Sequence, residues 1–219
     1  MTRRIPAIVA AIALTWVLAG PAVAAGATHL RVQGSGVTAF FSSSAGLDPI
    51  PPGDYFGAVL GAGSSIGRGD GAFENNSLCL GIDETRLDAD FGWSLERSYS
   101  TCGEIDGLSV RGDLGSAHLV ASFAATCEEY RGPTWACGQM DIDLTLTGVG
   151  PLTTYHETTV SGEPGAGGGR SVIEASGASR SAVYASGHVT LGDRSFTLDA
   201  VLTDAWIFDL KRGTVTIGG

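Results

Sequence analysis

The chain is poor in positive charge. It carries 13 lysines and arginines against 23 aspartates and glutamates, which gives a formal net charge of −10 over 219 residues. Proteins that bind nucleic acid gain much of their affinity from basic groups that neutralise phosphates. This composition therefore argues against a nucleic-acid partner. An acidic surface helps to keep an exported protein soluble, but it does not identify a ligand.

The chain also lacks a long apolar run after its first twenty residues. Residues 7–20, AIVAAIALTWVLAG, follow Arg3 and Arg4 and are shorter than the roughly 20 residues that span a bilayer. Pro21 and the small-residue pattern ending at Ala24 come next. This order predicts a general secretory signal peptide over residues 1–24, cleaved near Ala24. We expect the mature chain, residues 25–219, to be a secreted single domain with no transmembrane segment.

No cysteine pair is spaced as C-x-x-C, and no histidine lies within a few residues of a cysteine, which disfavours a thiolate metal site. The four cysteines all fall in the predicted mature chain, and an even number is typical of disulfides in exported proteins. Four cysteines allow three connectivities. We favour Cys79 with Cys102 and Cys127 with Cys137, because short local loops are the simplest to close. We expect neither a metal nor a cofactor.

Helical periodicity is nearly absent, and a period of two dominates. MDIDLTLTG, residues 140–148, alternates apolar and polar side chains, and residues 86–96 and 118–127 repeat the pattern. About a dozen short strands without helical crossovers indicate an antiparallel β-sandwich, with a barrel as the alternative. The alternation places Trp93 in the core. LGDRS, residues 191–195, predicts a hairpin, and glycine-rich residues 161–170 predict a loop within the domain.

Two short motifs suggest functions that their surroundings do not support. Residues 63–67 match G-x-S-x-G with Ser65 at the nucleophile position, but no helical pattern follows, so a glycine-lined loop at a strand end is expected. Arg-Gly-Asp occurs at residues 68–70 and 111–113. Because glycine and aspartate are turn residues, we interpret both tripeptides as turns rather than as receptor ligands.

Other residues that could act in catalysis are dispersed. Each histidine stands alone in a strand-like segment, where a surface or half-buried neutral ring is the ordinary role: His29, His118, His156 and His188. Two carboxylate pairs share strand faces without a calcium-binding loop to complete a coordination shell: Asp88 with Asp90, and Asp141 with Asp143.

The segment CEEYRGPTWAC, residues 127–137, is the strongest candidate for a ligand-binding loop. The favoured disulfide would close it and hold two aromatic and three charged side chains in a fixed arrangement: Glu128, Glu129, Tyr130, Arg131 and Trp135. The alternative is a hairpin cap in which Trp135 covers the end of the core. Phe40 and Phe41 are adjacent in a predicted strand, so they cannot face the same side, and one of them is a further candidate for exposure.

The segments LTLTGVGPLTTYHE, SRSAVYASGHVTLGDRSFT and LKRGTVTIGG, together with VTAFFSSS near the mature start, form a recognisable set. Residues 31–44 and 141–219 resemble small exported β-proteins of high-GC Gram-positive bacteria that have no assigned activity. The resemblance implies export and a β fold, and it transfers no site residues.

Together these patterns predict a secreted, disulfide-stabilised β-protein that binds rather than catalyses. The expected partner is a cell-envelope polysaccharide or an extracellular protein. One alternative is a secreted hydrolase with Ser65 or a carboxylate pair in its active site. Another is an adaptor that contacts a protein through an open sheet edge. The sequence does not indicate an oligomeric state.

Overall fold

The structure is a computed structural model that describes residues 29–44, 47–69, 72–130, 132–162 and 170–217. The predicted signal peptide and Arg131 lie outside these residues. Within them every regular element is a β-strand. In this part of the chain there is consequently no helix with the length and apolar character needed to cross a membrane.

Ten strands follow one another along the chain. They are β1 (His29–Ser42), β2 (Gly53–Gly69), β3 (Phe73–Leu87), β4 (Trp93–Glu104), β5 (Gly107–Val110), β6 (Ser116–Glu129), β7 (Thr134–Gly148), β8 (Leu152–Gly162), β9 (Arg170–Leu191) and β10 (Arg194–Ile217).

All ten strands belong to one antiparallel sheet with the order β10-β1-β2-β3-β4-β6-β7-β9-β8, and β5 pairs with β6. The sheet is strongly curled, because β9, the next-to-last strand of this order, pairs with β10 at the other end as well as with β7. Residues 183–191 of β9 lie beside β7, whereas residues 170–180 lie beside β8. The predicted antiparallel all-β single domain is confirmed, and its curvature is that of a half-barrel.

The inner face of the curled sheet carries the hydrophobic core. Strand β7 shows why the alternation was informative, since Met140, Ile142, Leu144 and Leu146 are each at most 2% exposed while the residues between them face outward. Strands β1, β2, β3, β6, β9 and β10 add side chains of the same kind. Burial of these side chains is the main stabilising term for the sheet.

The predicted hairpin at residues 191–195 is confirmed. The β9–β10 hairpin turns at Gly192 and Asp193, and Gly192 has φ of 58°, which glycine adopts without strain. The glycine-rich loop lies mostly outside the described residues, but Gly162 and Arg170 on either side of it are register partners. That segment therefore connects two neighbouring strands of one sheet.

The predicted strand over residues 86–96 is wrong in its centre. Residues 88–92 turn tightly between β3 and β4, because the Asp88 carboxylate accepts the N–H groups of Asp90 and Gly92 at 2.9 and 2.7 Å. Phe91 takes a positive φ of 60° in this turn. Trp93 is correspondingly 42% exposed rather than in the core, and its ring lies 5.6 Å from that of Tyr55.

Both predicted disulfides are confirmed. Cys79 and Cys102 are direct register partners on β3 and β4, with their Cα atoms 4.1 Å apart. Cys127 and Cys137 join β6 to β7 ten residues apart, next to a register shift between Ala125 and Thr126. No free cysteine occurs in the described part of the chain.

Candidate functional site

The β6–β7 hairpin holds the predicted binding residues close to β4. Its two strands are joined by the Cys127–Cys137 disulfide, and the Glu129 N–H donates to the carbonyl of Pro133 at 3.2 Å. The Tyr130 N–H donates to the Ser98 carbonyl on β4 at 3.2 Å. The hairpin tip is therefore fixed by a covalent link and by backbone hydrogen bonds on two sides.

Strand alternation divides the hairpin into an inner and an outer face. Tyr99 pairs with Glu129 and Ser100 pairs with Glu128 in the β4–β6 register. Since adjacent residues of a strand point to opposite faces, Glu128 and Tyr130 share one face and Glu129 takes the other. The predicted site residues are thus split between two surfaces, and Arg131 lies outside the described residues.

On the inner face, Trp135 packs against the end of the core. Its ring centroid lies 4.1 Å from the guanidinium carbon of Arg97 and 5.4 Å from the ring of Tyr99. The Arg97 Nε is also 3.3 Å from Glu129 Oε1. A guanidinium between an aromatic ring and a carboxylate gains both cation–π and ionic stabilisation. This arrangement corresponds to the hairpin-cap alternative, in which Trp135 covers the core.

The inner network continues to β10 and closes this end of the half-barrel. The Tyr99 hydroxyl donates to Glu84 Oε1 at 3.2 Å, and Arg194 forms an ion pair with the same carboxylate. Burial raises the pKa of the Tyr99 hydroxyl, and the negative charge of Glu84 raises it further. The Arg194 guanidinium carbon lies 5.7 Å from the ring centroid of Phe56. These groups form what we call the aromatic cap.

On the outer face, Glu128 and Tyr130 border an open depression of about 570 Å³. Its other outward-facing wall residues are Ser98, Ser100 and Gly81, and the inner-face residues Tyr99 and Glu129 reach its margin. Tyr130 is 73% exposed, the highest value among the large apolar and aromatic side chains of the described residues. We call this surface the Tyr130 depression.

Gly81 makes the floor of the Tyr130 depression. A Cβ placed on it would meet nothing closer than the Val59 carbonyl oxygen at 4.0 Å. Gly81 pairs with Val59 on β2 and with Ser100 on β4. Because glycine has no side chain, the outer face is hollow at this position. The depression lies beside the short pairing of β4 with β6, which comprises two residue pairs.

Sequence reasoning missed the glycine and the two serines of this site. One signal could have found them, because cysteines that pair directly across two strands fix the register of those strands. Cys79 lies opposite Cys102. Moving two residues along each strand therefore places Gly81 opposite Ser100, on the same face of the sheet. The predicted Cys79–Cys102 disulfide is therefore enough to predict that Gly81 lies opposite Ser100.

The Tyr130 depression combines an aromatic ring, carboxylates and hydroxyl groups. No lysine or arginine lines it among the described residues. Nor do the described residues hold any group of three or more histidine, cysteine, aspartate or glutamate side chains placed to bind a metal ion. The chemistry is that of hydrogen-bond acceptors and donors beside an apolar platform, typical of a surface that binds a polyhydroxylated molecule.

The candidate nucleophile Ser65 is not in a nucleophile elbow. It lies inside β2, is 2% exposed, and its hydroxyl has no hydrogen-bond partner among the described residues. The chain continues from β2 to β3 without the helix that the elbow requires. A buried hydroxyl within a strand cannot reach a substrate, so the structure does not support Ser65 as a catalytic residue.

His118 lies beside a carboxylate. His118 Nε2 lies 2.8 Å from Asp143 Oδ1, and Ser109 is the register partner of His118 on β5. The His118 and Asp143 side chains are 48% and 58% exposed on the outer face of the sheet. Asp141, next on that face, accepts a hydrogen bond from Ser122 at 2.7 Å. Neither residue lines the Tyr130 depression, so this exposed pair is not part of that site.

The remaining candidates separate into core and surface. Phe41 is 6% exposed in the core, and Phe40 is half-buried on the other face with its ring 5.9 Å from that of Trp206.

Arg111 and Asp113 of the second Arg-Gly-Asp are exposed in the turn between β5 and β6, where Arg111 Nε lies 3.2 Å from Asp113 Oδ1. The predicted turn is confirmed there, while the first tripeptide includes Asp70, outside the described residues.

Comparison of the chain with protein-family models, with curated proteins and with solved structures finds no match in any of the three. The class that the fold and the site define is a curled antiparallel β domain with two disulfides and a depression on its outer face.

Proposed function

We propose that this protein is a secreted, non-catalytic binding module that recognises a neutral saccharide, as part of a cell-envelope polysaccharide, in the Tyr130 depression. The observation that carries the proposal is the exposed Tyr130 ring, held by a disulfide-closed hairpin beside a floor with no side chain. A sugar ring has an apolar C–H face and a rim of hydroxyls, and this surface offers a partner to each.

Geometry and charge favour a neutral polymer over a charged one. A volume of about 570 Å³ is within the range of small-ligand sites and suits one or two sugar units. The Glu128 carboxylate accepts hydrogen bonds from hydroxyls, but it would repel an anionic polymer. The open form of the depression also lets a longer chain pass through it. The two disulfides support the extracellular part of the proposal, because such bonds persist in oxidising compartments.

The first test is binding of the purified protein to a panel of neutral and charged polysaccharides, with two variants in parallel. Tyr130→Ala removes the aromatic platform, and Glu128→Gln keeps the shape of the side chain while removing its charge. Tyr184→Ala is the matched control, because Tyr184 is 42% exposed on β9 and lies outside the depression. We expect saturable binding to at least one neutral polysaccharide, weakened about tenfold or more by Tyr130→Ala and unchanged by the control.

Two results would contradict the proposal. One is the absence of binding to every neutral polysaccharide in the panel. The other is equal binding by the Tyr130→Ala and Tyr184→Ala proteins, since a ligand in the depression must contact the Tyr130 ring.

A second candidate function is an adaptor that recruits a further copy of this chain through the edge of β8. Among the described residues β8 pairs only with β9, so its outer edge is open. Proteins often protect such edges with lysine or proline, and β8 contains neither. Leu152, Tyr155 and Val160 on this strand are 43–52% exposed.

Sedimentation velocity over a wide range of protein concentrations tests the adaptor. Self-association that disappears in Val160→Lys would support pairing through β8. A monomer at every concentration would contradict it and leave the saccharide proposal untouched.

A further inference from the structure

A second depression, of about 470 Å³, lies at the end of the half-barrel that the aromatic cap does not close. Here β1, β2, β8, β9 and β10 extend beyond the hydrophobic core. In β1 the core-facing positions are Phe41, Ala39 and Val37, and the same face continues through Ser35 and Gln33 to Arg31. The inner face thus changes from apolar to charged along a single strand.

Basic residues gather at this depression. Four of the chain's 13 lysines and arginines border it, although the protein as a whole is acidic. They are Arg31, Arg68, Lys211 and Arg212. Glu174 is the one acidic residue among the described residues that line it. Three of the basic residues, Arg31, Arg68 and Lys211, lie on the inner face where it opens to solvent.

The two arginines on this face oppose each other. Arg31 on β1 is the direct register partner of Arg68 on β2, so their Cβ atoms lie roughly 5 Å apart. Like charges at that position destabilise a sheet. In the described part of the chain neither arginine forms an ion pair, and neither does Lys211. An anion placed between them would remove the repulsion and gain charge-assisted hydrogen bonds.

Gly213 gives that anion room. It lies between Arg31 on β1 and Glu174 on β9 in one row across the sheet, and a Cβ placed on it would meet no atom within 4 Å. Lys211 is two residues away on the same face of β10, with Gln33 as its partner on β1. The row therefore has a gap at Gly213. The guanidinium groups of Arg31 and Arg68 lie on one side of this gap, and the ammonium group of Lys211 lies next to it along β10.

We infer that this depression, which we call the Arg31 depression, binds an oxyanion carried by a small solute or a sugar, either a phosphate or a carboxylate. Guanidinium groups present paired N–H donors that match both oxyanions, and Lys211 adds a third cation. Glu174, Gln33 and His156 can hydrogen-bond to hydroxyls of the same molecule. The site is separate from the Tyr130 depression, because the two share no lining residue.

Calorimetric titration of the whole protein with four probes tests this inference: inorganic phosphate, glucose 6-phosphate, glucuronate and glucose. The variant is Arg31→Gln with Arg68→Gln. Its control is Arg86→Gln, which removes the same type of charge from an exposed arginine paired with Asp54 outside the depression. We expect an anionic probe to bind and glucose not to bind at this site. The double variant should weaken binding about tenfold or more, and Arg86→Gln should change it less than about twofold.

Gly213→Val is a second variant that keeps every charge. It should also abolish anion binding by filling the gap, whereas Gly107→Val, at a strand glycine with equally open space, should not. Comparison of phosphate with glucuronate identifies the preferred oxyanion. Three results would overturn the inference: no anion bound, glucose bound as tightly as glucose 6-phosphate, or binding unaffected by the double variant.

Discussion

The guanidinium carbon of Arg97 lies 4.1 Å from the centroid of the Trp135 ring, on the inner face of the hairpin that carries Tyr130 on its outer face. Trp135 and Tyr130 are therefore close in sequence but lie on opposite faces of the hairpin and differ in role. Trp135 helps to close the end of the core, and Tyr130 is left at the surface with 73% of its area exposed. Stability and binding should consequently respond to different substitutions within one short loop.

Trp135→Ala should lower the free energy of unfolding by about 2–4 kcal/mol, because the ring packs against Arg97 and Tyr99 and its removal leaves a cavity at the end of the core. Tyr130→Ala should change it by less than about 0.5 kcal/mol, as is usual for an exposed residue. Urea denaturation followed by circular dichroism measures both values. Equal losses for the two variants would show that the division into two faces is wrong.

Tyr99 should make the protein sensitive to alkaline pH. Its pKa is raised above 10.0 in the folded state by burial and by Glu84. The folded state therefore holds the phenolic proton more tightly than the unfolded state does. The resulting stabilisation is complete below the unfolded pKa near 10 and is lost as the pH rises through the folded pKa.

Urea unfolding of the wild type and Tyr99→Phe at pH 8 and pH 10.5 measures this effect. The variant loses the hydrogen bond to Glu84 and should be less stable at pH 8, while its stability should fall less on going to pH 10.5. Parallel falls in the two proteins would show that Tyr99 is not the group responsible. Tyr130→Phe, at an exposed position, is the control.

Ser65→Ala should leave the protein as stable as the wild type or up to about 1 kcal/mol more stable, because the variant removes a buried hydroxyl that has no hydrogen-bond partner among the described residues. Ser64→Ala, at the neighbouring position on the opposite face of β2, is the control. Denaturant melts give the comparison. A loss of more than about 1 kcal/mol in Ser65→Ala alone would mean that its hydroxyl makes a stabilising interaction.

The two disulfides should each contribute about 3 kcal/mol, the value that the chain-entropy model gives for loops of 10 and 23 residues. Peptide mapping without reduction should recover Cys79 linked to Cys102 and Cys127 linked to Cys137. Thermal melts of the two double Cys→Ser variants should then show lower midpoints than the wild type. Recovery of a crossed pairing would contradict the β3–β4 and β6–β7 registers.

The sequence was informative where one local pattern decided the structure. In β7 the alternation from Met140 to Leu146 predicts the buried face correctly, because the strand is regular over these residues. Around Trp93 the same alternation gave the wrong answer. The Asp88 carboxylate captures two backbone N–H groups and forms a turn that hydrophobic periodicity does not describe.

The candidate sites show the same limit. A closed loop carrying Tyr130 could be predicted, because the disulfide and the aromatic residue lie within one short segment. The floor at Gly81 depends on the register of β3 with β4, and the pairing of Arg31 with Arg68 depends on the register of β1 with β2. The roles of these residues can be recognised only once the pairing of the strands is known.

Filling the floor of the Tyr130 depression is the most direct test of its role in binding. Gly81→Val adds a β-branched side chain where a Cβ meets nothing closer than the Val59 carbonyl oxygen at 4.0 Å, so the fold should be retained while the space for a sugar ring is lost. Gly61→Val, at an equally open position of β2 outside the depression, is the matched control. In titrations with the polysaccharide that the wild type binds, we expect no binding by Gly81→Val and wild-type affinity for Gly61→Val. Undiminished binding by a folded Gly81→Val protein would show that the ligand does not occupy this depression.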